Sequence, residues 1–466
     1  MLLRVGMTEA KPTPPGREPG HPVGAELVEA VARALPANDV RAVRDWTRDL
    51  HAADLADLIE GLEQEQRIEL ISALGRSFDV EALAELDETV RDELLEALPN
   101  EVIASAIKKL DTDDALYLIE DLDQTEREDI LGKVSKQDRV ALSRALDYPE
   151  HTAGRLMQTE FVAVPEYWSV GRTIDFMRTE KGLPGDFVEI YAVDPAFHLR
   201  GAVPLSRILR SPRDKKISEV MNDEQTVFKA GDEQEDIAYK FEQYNLVSAA
   251  VTDEAGRLVG MLMVDDIVDV IQEEAEEDIL HLGGVGGEET ISDSVWATTR
   301  SRFAWLFVNL ATAVLASWVI SWFDATIEQM VALAILMPIV ASMGGNAGTQ
   351  TMTVAVRALA TRNLGPLNAL RVTLREGSVG IINGLLFALV IGLFAWWWFG
   401  SGDLGLVIAA AMVINMIAAA LAGILIPLGL DRLDIDPAIA SGVFVTTVTD
   451  VVGFFSFLGL AAIWLA

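Results

Sequence analysis

Residues 437–466 read PAIASGVFVTTVTDVVGFFSFLGLAAIWLA, thirty positions with one charged side chain, Asp450. About 20 predominantly apolar residues suffice to cross a bilayer as a helix, so this run is read as a transmembrane span. Four more uncharged runs precede it, at residues 303–323, 330–356, 377–402 and 404–430. Five such runs in succession predict an α-helical membrane domain over residues 301–466, in contact with the lipid bilayer.

The positions of arginine orient the spans. Arg300 and Arg302 precede the first, Arg357, Arg362, Arg371 and Arg375 lie between the second and third, and Arg432 separates the fourth from the fifth. The opposite loops carry only Asp324, Glu328 and Asp403. Basic residues stay on the cytoplasmic side. The expectation is a multi-pass protein of the cytoplasmic (inner) membrane, with its N-terminus cytoplasmic and its C-terminus outside. Trp318, Trp322, Trp396, Trp397, Trp398 and Trp464 then collect at the outer face, as an interfacial aromatic belt does.

Outward from the membrane part the composition changes. The whole chain has 466 residues, 37 Lys+Arg, 71 Asp+Glu, a formal net charge of −34 and no cysteine. Residues 301–466 hold only six arginines, no lysine and eight acids. The charge therefore sits in residues 1–300. Lack of cysteine excludes disulfides, thiolate metal sites and thiol catalysis. A surface this acidic argues against nucleic acid as a partner. Residues 1–24 are rich in Pro and Gly and lack an apolar run, so a disordered N-terminus is expected there. The five histidines are scattered and no nucleophile stands at a recognisable spacing from a base, so no enzyme is indicated.

Two features of the spans carry chemistry. A carboxylate at mid-bilayer, such as Asp450, costs roughly 2.5–3.5 kcal/mol on insertion scales and faces a polar route or a partner. With no lysine in the membrane part, a cation route is the stronger reading, and a protonated structural Asp the weaker. The second feature is the segment Pro338 to Gln350, which contains Gly344, Gly345, Asn346 and Gly348. Pro338 removes an N–H and the glycines weaken a helix. A broken span two is expected, lining a watery cavity with freed carbonyls and the amides of Asn346 and Gln350. Gly380 and Gly384, without polar neighbours, read as close helix packing. Oxygen ligands without Cys or His select hard cations. Mg2+ is held by few carboxylates through retained water, whereas Ca2+ wants a denser cage. One Asp per chain suits Mg2+, especially where two chains meet on a twofold axis.

These motifs bear a resemblance. Met343-Gly344-Gly345-Asn346-x-Gly348-x-Gln350 together with Asp436-Pro437-Ala438, Ser441-Gly442 and Thr446-Thr447-x-Thr449-Asp450 resembles the MgtE family of magnesium channels, and the likeness runs over nearly the whole chain. It implies a homodimer, Asp450 as the pore carboxylate for hydrated Mg2+, and Asn346 near the path. The expected pore lining is Gly344, Gly345, Asn346, Gln350, Thr446, Thr447 and Asp450.

The soluble part carries two repeats. Leu50, Leu62, Leu74, Leu86, Leu98, Leu110 and Leu122 stand twelve apart, and Val134 and Leu146 continue the series. A second apolar residue three or four positions earlier puts each on one helical face. Residues 25–150 are therefore read as an acidic domain of short stacked helices forming a superhelix. In residues 151–272 the segment Leu156-Met157-Gln158 parallels Val220-Met221-Asn222, and Leu199–Leu209 parallels Leu258–Val268. Each half alternates strand-like and amphipathic runs, so a tandem α/β pair is expected. It resembles a CBS pair. Such pairs often bind adenine nucleotides, so ATP is a possible ligand, with Asp266 the candidate to meet a ribose. Met263 stands where a nucleotide-binding module usually has Thr or Ser.

Residues 264–278 are the most charged run. Asp266 and Asp269, and likewise Glu274 and Glu277, fall three apart on one side of a helix, where like charges repel. A solvated acidic helix is the plain reading. The resemblance implies regulatory Mg2+ sites at Asp266, Asp269, Glu274, Glu277 and Asp278, facing acids from residues 50–130. Residues 273–300, with Gly283, Gly284, Gly286 and Gly287, are read as a connecting or plug helix. The expectation is a Mg2+ channel closed by cytosolic Mg2+. An ion-coupled secondary transporter of divalent cations and a membrane-anchored CBS nucleotide sensor without transport stay open beside it.

Overall fold

The computed structural model describes residues 23–465 except 121, 186, 288, 290–294, 366 and 434. Nearly all of the expected disordered N-terminus lies outside the described residues. Two compact units divide the chain, one ending at Ile271 and the other beginning at Gln272.

Among the described residues the first unit opens with nine short helices: α1 Ala25–Ala34, α2 Val40–Thr47, α3 Ala52–Glu60, α4 Gln64–Leu74, α5 Glu88–Ala97, α6 Asn100–Ile107, α7 Thr112–Tyr117, α8 Gln124–Lys133 and α9 Lys136–Leu146. The twelve-residue period has a direct cause. Before the closing Leu146, the residue after every repeat position but Leu74 is a helix N-cap: His51, Glu63, Asp87, Pro99, Asp111, Asp123 and Ser135. One period is thus one cap, one helix and one apolar closing residue. His51, Asp87, Asp123 and Ser135 accept backbone N–H groups of the first turn, donors that the helix itself cannot satisfy. At the one skipped position, Gly75 takes φ +55° and two short 3₁₀ turns, Gly75–Ser77 and Val80–Leu83, replace a helix. Leu62, Leu74, Leu86 and Leu98 are buried in a continuous core, and Leu50, Leu110, Leu122, Val134 and Leu146 pack against it.

The duplicated α/β part follows, with α10 Ala153–Leu156, β1 Ala163–Pro165, α11 Val170–Thr179, β2 Glu189–Val193, β3 Leu199–Pro204, α12 Leu205–Arg210, β4 Val227–Lys229, α13 Gln234–Tyr244, β5 Ser248–Thr252 and β6 Leu258–Met263. Each sheet has the order β1-β2-β3 or β4-β5-β6, the first pair parallel and the second antiparallel. Both carry an irregularity at the matching place, Ala192/Val193 and Val251/Thr252. The halves exchange their leading segments: Gln158 pairs with Met261 and Asn222 with Ala202. Close approach at these crossings requires glycine. A Cβ on Gly201 would lie 2.5 Å from the Asn222 carbonyl oxygen, and one on Gly260 2.6 Å from Met157 Sδ. The two parallels read in the sequence are therefore one symmetric contact seen twice.

Helix α14, Val264–Leu282, continues from β6 without a break. The second unit then contains α15 Val295–Ser321, α16 Asp324–Gln329, α17 Ala332–Ala360, α18 Ala369–Phe399, α19 Gly402–Asp431 and α20 Pro437–Trp464. Among the described residues five helices, all but α14 and α16 of this set, are long and apolar enough to cross a membrane. Helix α19 is the most enclosed, packed by α17, α18 and α20, while α15 rests on α20. Two helices begin well before their apolar runs: α15 takes in Arg300 and Arg302, and α18 takes in Arg371, Arg375 and Glu376. Backbone hydrogen bonding does not stop where hydropathy changes.

Span two corrects the expectation of a broken helix. Helix α17 is continuous through Pro338 and through Gly344–Gly348. Its buried glycines are contact points. A Cβ on Gly348 would meet Val445 Cγ1 at 2.6 Å, and one on Gly344 would meet Asn415 Nδ2 at 2.1 Å. Small residues that let helices approach explain them, as they explain Gly380, whose added Cβ would lie 2.7 Å from Ala420 Cβ.

Candidate functional site

On α20 a stripe of Ser441, Val445, Thr449 and Gly453 is buried in the bundle. Asp450 stands beside this stripe and is half-buried, with Thr446 exposed one turn away. The Thr446 and Thr447 hydroxyls donate to the carbonyls of Gly442 and Val443 at 2.8 and 2.6 Å. Each proton is thereby committed to the backbone, and the oxygen lone pairs remain as acceptors or ligands. On α17, Ser342, Asn346, Thr349 and Thr353 recur at three- and four-residue spacing and are exposed, as is Gln350. Gly344 is buried against Asn415. It lines no open face, contrary to the expectation for it, because its missing side chain is filled by a neighbouring helix. Gln350 also borders a cavity of about 250 Å³ between α17, α18 and α19, with Thr351, Arg375, Glu376 and Asn383.

Two groups of acids stand outside the spans. The first gathers where α7 meets the start of α14. The carboxyls of Asp113 and Asp266 face each other, and both oxygens of Asp113 and Oδ2 of Asp266 are buried without a hydrogen-bond partner in regular geometry. Burial, then the charge of Asp113, pushes the Asp266 carboxyl far above the usual carboxylate range. Burial, then the charge of Asp114, raises Asp113, with the Gln158 side chain and the Asp114 backbone N–H acting the other way. Asp114 is pushed up to about 6 by burial and by Asp111, Glu85, Glu81 and Asp265. Asp269 is raised by burial and by Asp265. Two contacts flank these acids. Thr112 Oγ1 donates to Glu160 Oε1 at 2.8 Å, and Arg155 Nε donates to Glu120 Oε2 at 3.0 Å. The carboxyl of Asp266, also the candidate for a ribose, is turned onto Asp113.

The second group lies at the end of α14. Asp278 is pushed up to about 6 by burial first and then by Asp436, with Glu274 and Glu277 adding to the rise and His281 opposing it. His281 reaches Asp436 Oδ2 at 3.5 Å and Glu277 Oε1 at 3.7 Å. Asp436 is also the N-cap of α20, accepting the Ala438 N–H at 2.7 Å. Leu282 packs on Met352, Val356, Ala438 and Val445 at the ends of α17 and α20. The five acids expected along α14 thus fall into two places. Asp266 meets acids of the helical repeat, whereas Asp278 has Asp436 beside it. Sequence reasoning expected facing acids in residues 50–130 without naming Asp113 or Asp114, and it gave Asp436 no role. The first two lie in one of many acidic turns, and Asp436 stood in the family motif just before the last span.

Among the described residues no three His, Asp or Glu side chains already converge as ligands of a bare metal ion. Unpartnered buried carboxyl oxygens and the absence of a neutralising base among the groups that act on Asp113 and Asp266 do fit a cation that keeps part of its water.

The chain matches known proteins along most of its length. Residues 337–460 match the MgtE family, described as a divalent cation transporter, residues 50–151 the MgtE intracellular N domain, and residues 217–273 the CBS domain. Over 446 residues it is 32% identical to the magnesium transporter MgtE of Thermus thermophilus, covering 94% of this chain and 99% of that protein. It is 26% identical to the magnesium transporter MgtE of Bacillus subtilis over 436 residues, covering 94% and 97%. Among solved structures, the cytosolic domain of the Mg2+ channel MgtE in complex with ATP is 28% identical, covering 52% of this chain and 100% of that one, with a TM-score of 0.49.

Proposed function

The chain belongs to the MgtE family of divalent cation transporters, and from that premise we propose that it is a homodimeric Mg2+ channel of the cytoplasmic membrane, closed by Mg2+ on the cytosolic side. The observation that carries the reading is Asp450. It is a carboxylate within a membrane helix, only half-buried, on a bundle that contains no lysine. A second copy across a twofold axis would set two such carboxylates against one hydrated divalent ion. The exposed polar stripe Ser342, Asn346, Thr349 and Thr353 supports the same assembly. Hydroxyl and amide groups facing lipid are unfavourable, whereas facing a watery path they are not. The Arg distribution supports a cytoplasmic N-terminus and an external C-terminus.

Regulation follows from the two acidic groups. Mg2+ between Asp113 and Asp266 replaces protons and holds the helical repeat on the start of α14. Mg2+ between Asp278 and Asp436 holds the end of α14 on the cap of α20. Sites of Glu274, Glu277 and Asp269 add charge to each. A cation shifts such a balance only by its differential affinity for the closed form. Several weak sites give a steep response together.

The test is Mg2+ current in membrane patches with internal Mg2+ stepped. A current that follows voltage, falls as internal Mg2+ rises and ignores Na+ and pH gradients supports the channel. Flux that requires either gradient would replace it with coupled transport. Restored growth of a magnesium-uptake-deficient cell excludes a pure nucleotide sensor. Adenine-nucleotide binding by the CBS pair is proposed on the CBS resemblance alone. Calorimetric titration of the full chain with ATP, against GTP as control, tests it, and no heat with ATP would remove it.

A further inference from the structure

We propose that Asn415 is a positioning residue of the transport path, holding α17 and α20 at the separation that sets the faces bearing Asn346 and Asp450. The inference rests on the pore reading above. Asn415 lies on α19 and is wholly buried among Ala411, Met412, Met416 and Ala419. Its Nδ2 donates to the Val340 carbonyl of α17 at 2.8 Å. Its Oδ1 is buried without a partner. Burying an amide in apolar surroundings is unfavourable, the more so with one oxygen unpaired. As filler, an apolar side chain would serve better.

The amide occupies a slot between two glycines, one on each flanking helix. A Cβ on Gly344 of α17 would have Asn415 Nδ2, Cγ and Oδ1 as its three nearest atoms, at 2.1, 2.8 and 3.0 Å. A Cβ on Gly453 of α20 would meet the same three atoms at 2.8, 3.2 and 3.4 Å. Gly344 is two residues from Asn346, and Gly453 one turn from Asp450. The same flat side chain therefore spaces both helices next to their polar faces, while its hydrogen bond fixes α17 along its axis. The gap between those faces sets which hydrated cation passes with least rearrangement, so discrimination between Mg2+ and Ca2+ is the property expected to depend on Asn415.

The test uses the full-length protein in proteoliposomes. Asn415→Leu keeps the branched framework in bulkier methyls and removes the donor. Gly344→Ala adds a methyl against the Asn415 amide, and Gly344→Ala with Asn415→Ala restores the room without the hydrogen bond. Gly344→Ala alone is expected to lose flux. The double variant and Asn415→Leu are expected to assemble but to lose about tenfold in the Mg2+ to Ca2+ flux ratio, the scale of one hydrogen bond. Their half-inhibition by internal Mg2+ is expected to be unchanged. Because the chain has no cysteine, spin labels at introduced cysteines, one on α17 and one on α20, report the helix separation directly. It should change in Gly344→Ala with Asn415→Ala, which adds no net bulk. Wild-type selectivity or unchanged separation in that variant overturns the proposal. Failure of all these variants to assemble overturns it too, by assigning Asn415 to folding. Should Asp450→Ala conduct normally, the pore reading falls. If that variant is silent while Asn415→Leu is normal, only this inference falls.

Discussion

The carboxyl groups of Asp113 on α7 and Asp266 on α14 face each other with no base among the groups that act on them. Both titrate well above the usual carboxylate range because burial first, and then the charge of neighbouring carboxylates, disfavour ionisation. The sign of the consequence is fixed. A carboxyl raised in the folded state binds more protons there than in the unfolded chain, so its contribution favours the docked form at low pH. That contribution is lost as pH rises from the ordinary carboxylate value to the raised one. Without divalent cation, the helical repeat should therefore dock less firmly at about pH 8.5 than at about pH 6, the window of these raised groups. Mg2+ should cancel the difference, and its affinity should rise with pH, since it competes with protons. Limited proteolysis across that range, with and without Mg2+, checks this. Protection that increases with pH in chelator would contradict it.

Asp113→Asn isolates the pair. The substitution keeps size and removes one charge. Docking without cation is expected to lose part of its pH dependence, since burial still raises Asp266, and Mg2+ affinity to drop by roughly tenfold to a hundredfold, as when a supporting ligand group is lost. Calorimetric titration measures both. Unaltered Mg2+ affinity would take Asp113 out of the regulatory site.

Asp436 has two roles that substitution can separate. Asn caps a helix as well as Asp does, whereas Ala does not, at a cost of about 1 kcal/mol. Asp436→Asn should move Mg2+ inhibition to higher concentration while thermal stability holds. Asp436→Ala should lose both. Equal inhibition in the wild type and Asp436→Asn would show that only the cap matters.

The exchanged segments of the CBS pair predict a ranking. Gly201→Ala drives a methyl to 2.5 Å from the Asn222 carbonyl oxygen, which is backbone and cannot yield, whereas Gly260→Ala first meets the flexible Met157 side chain and stands 2.8 Å from the Gln158 carbonyl oxygen. Both should destabilise the pair by about 1–3 kcal/mol, the usual cost of overpacking, with Gly201→Ala the worse. Chemical denaturation of the two variants decides it, and the reverse order would refute the packing described.

How much of this was legible in the residues depends on range. The twelve-residue leucine period names a local unit, a cap with its helix and closing apolar residue, so the repeat was readable without the fold. The five spans were readable because apolar length is itself the signal. Gly344 and Gly348 misled, since glycine weakens an isolated helix yet permits close packing in a bundle, and only Asn415 and Val445 on other helices decide between the two. The pairing of Asp266 with Asp113 joins positions more than a hundred and fifty residues apart in the chain. No spacing rule reaches that far in a chain with 71 acids. Asp436 was visible only as a member of the family motif, and its place beside Asp278 depends on where α14 ends.

Mg2+ flux through Asp450→Asn in proteoliposomes, beside the wild type at matched protein density, bears most directly on the path itself. The substitution preserves shape and removes the single charge of the last span. Flux should fall to the level of empty vesicles while the dimer still assembles and still binds Mg2+ at its cytosolic acids. Flux equal to the wild type would mean that the ion passes elsewhere.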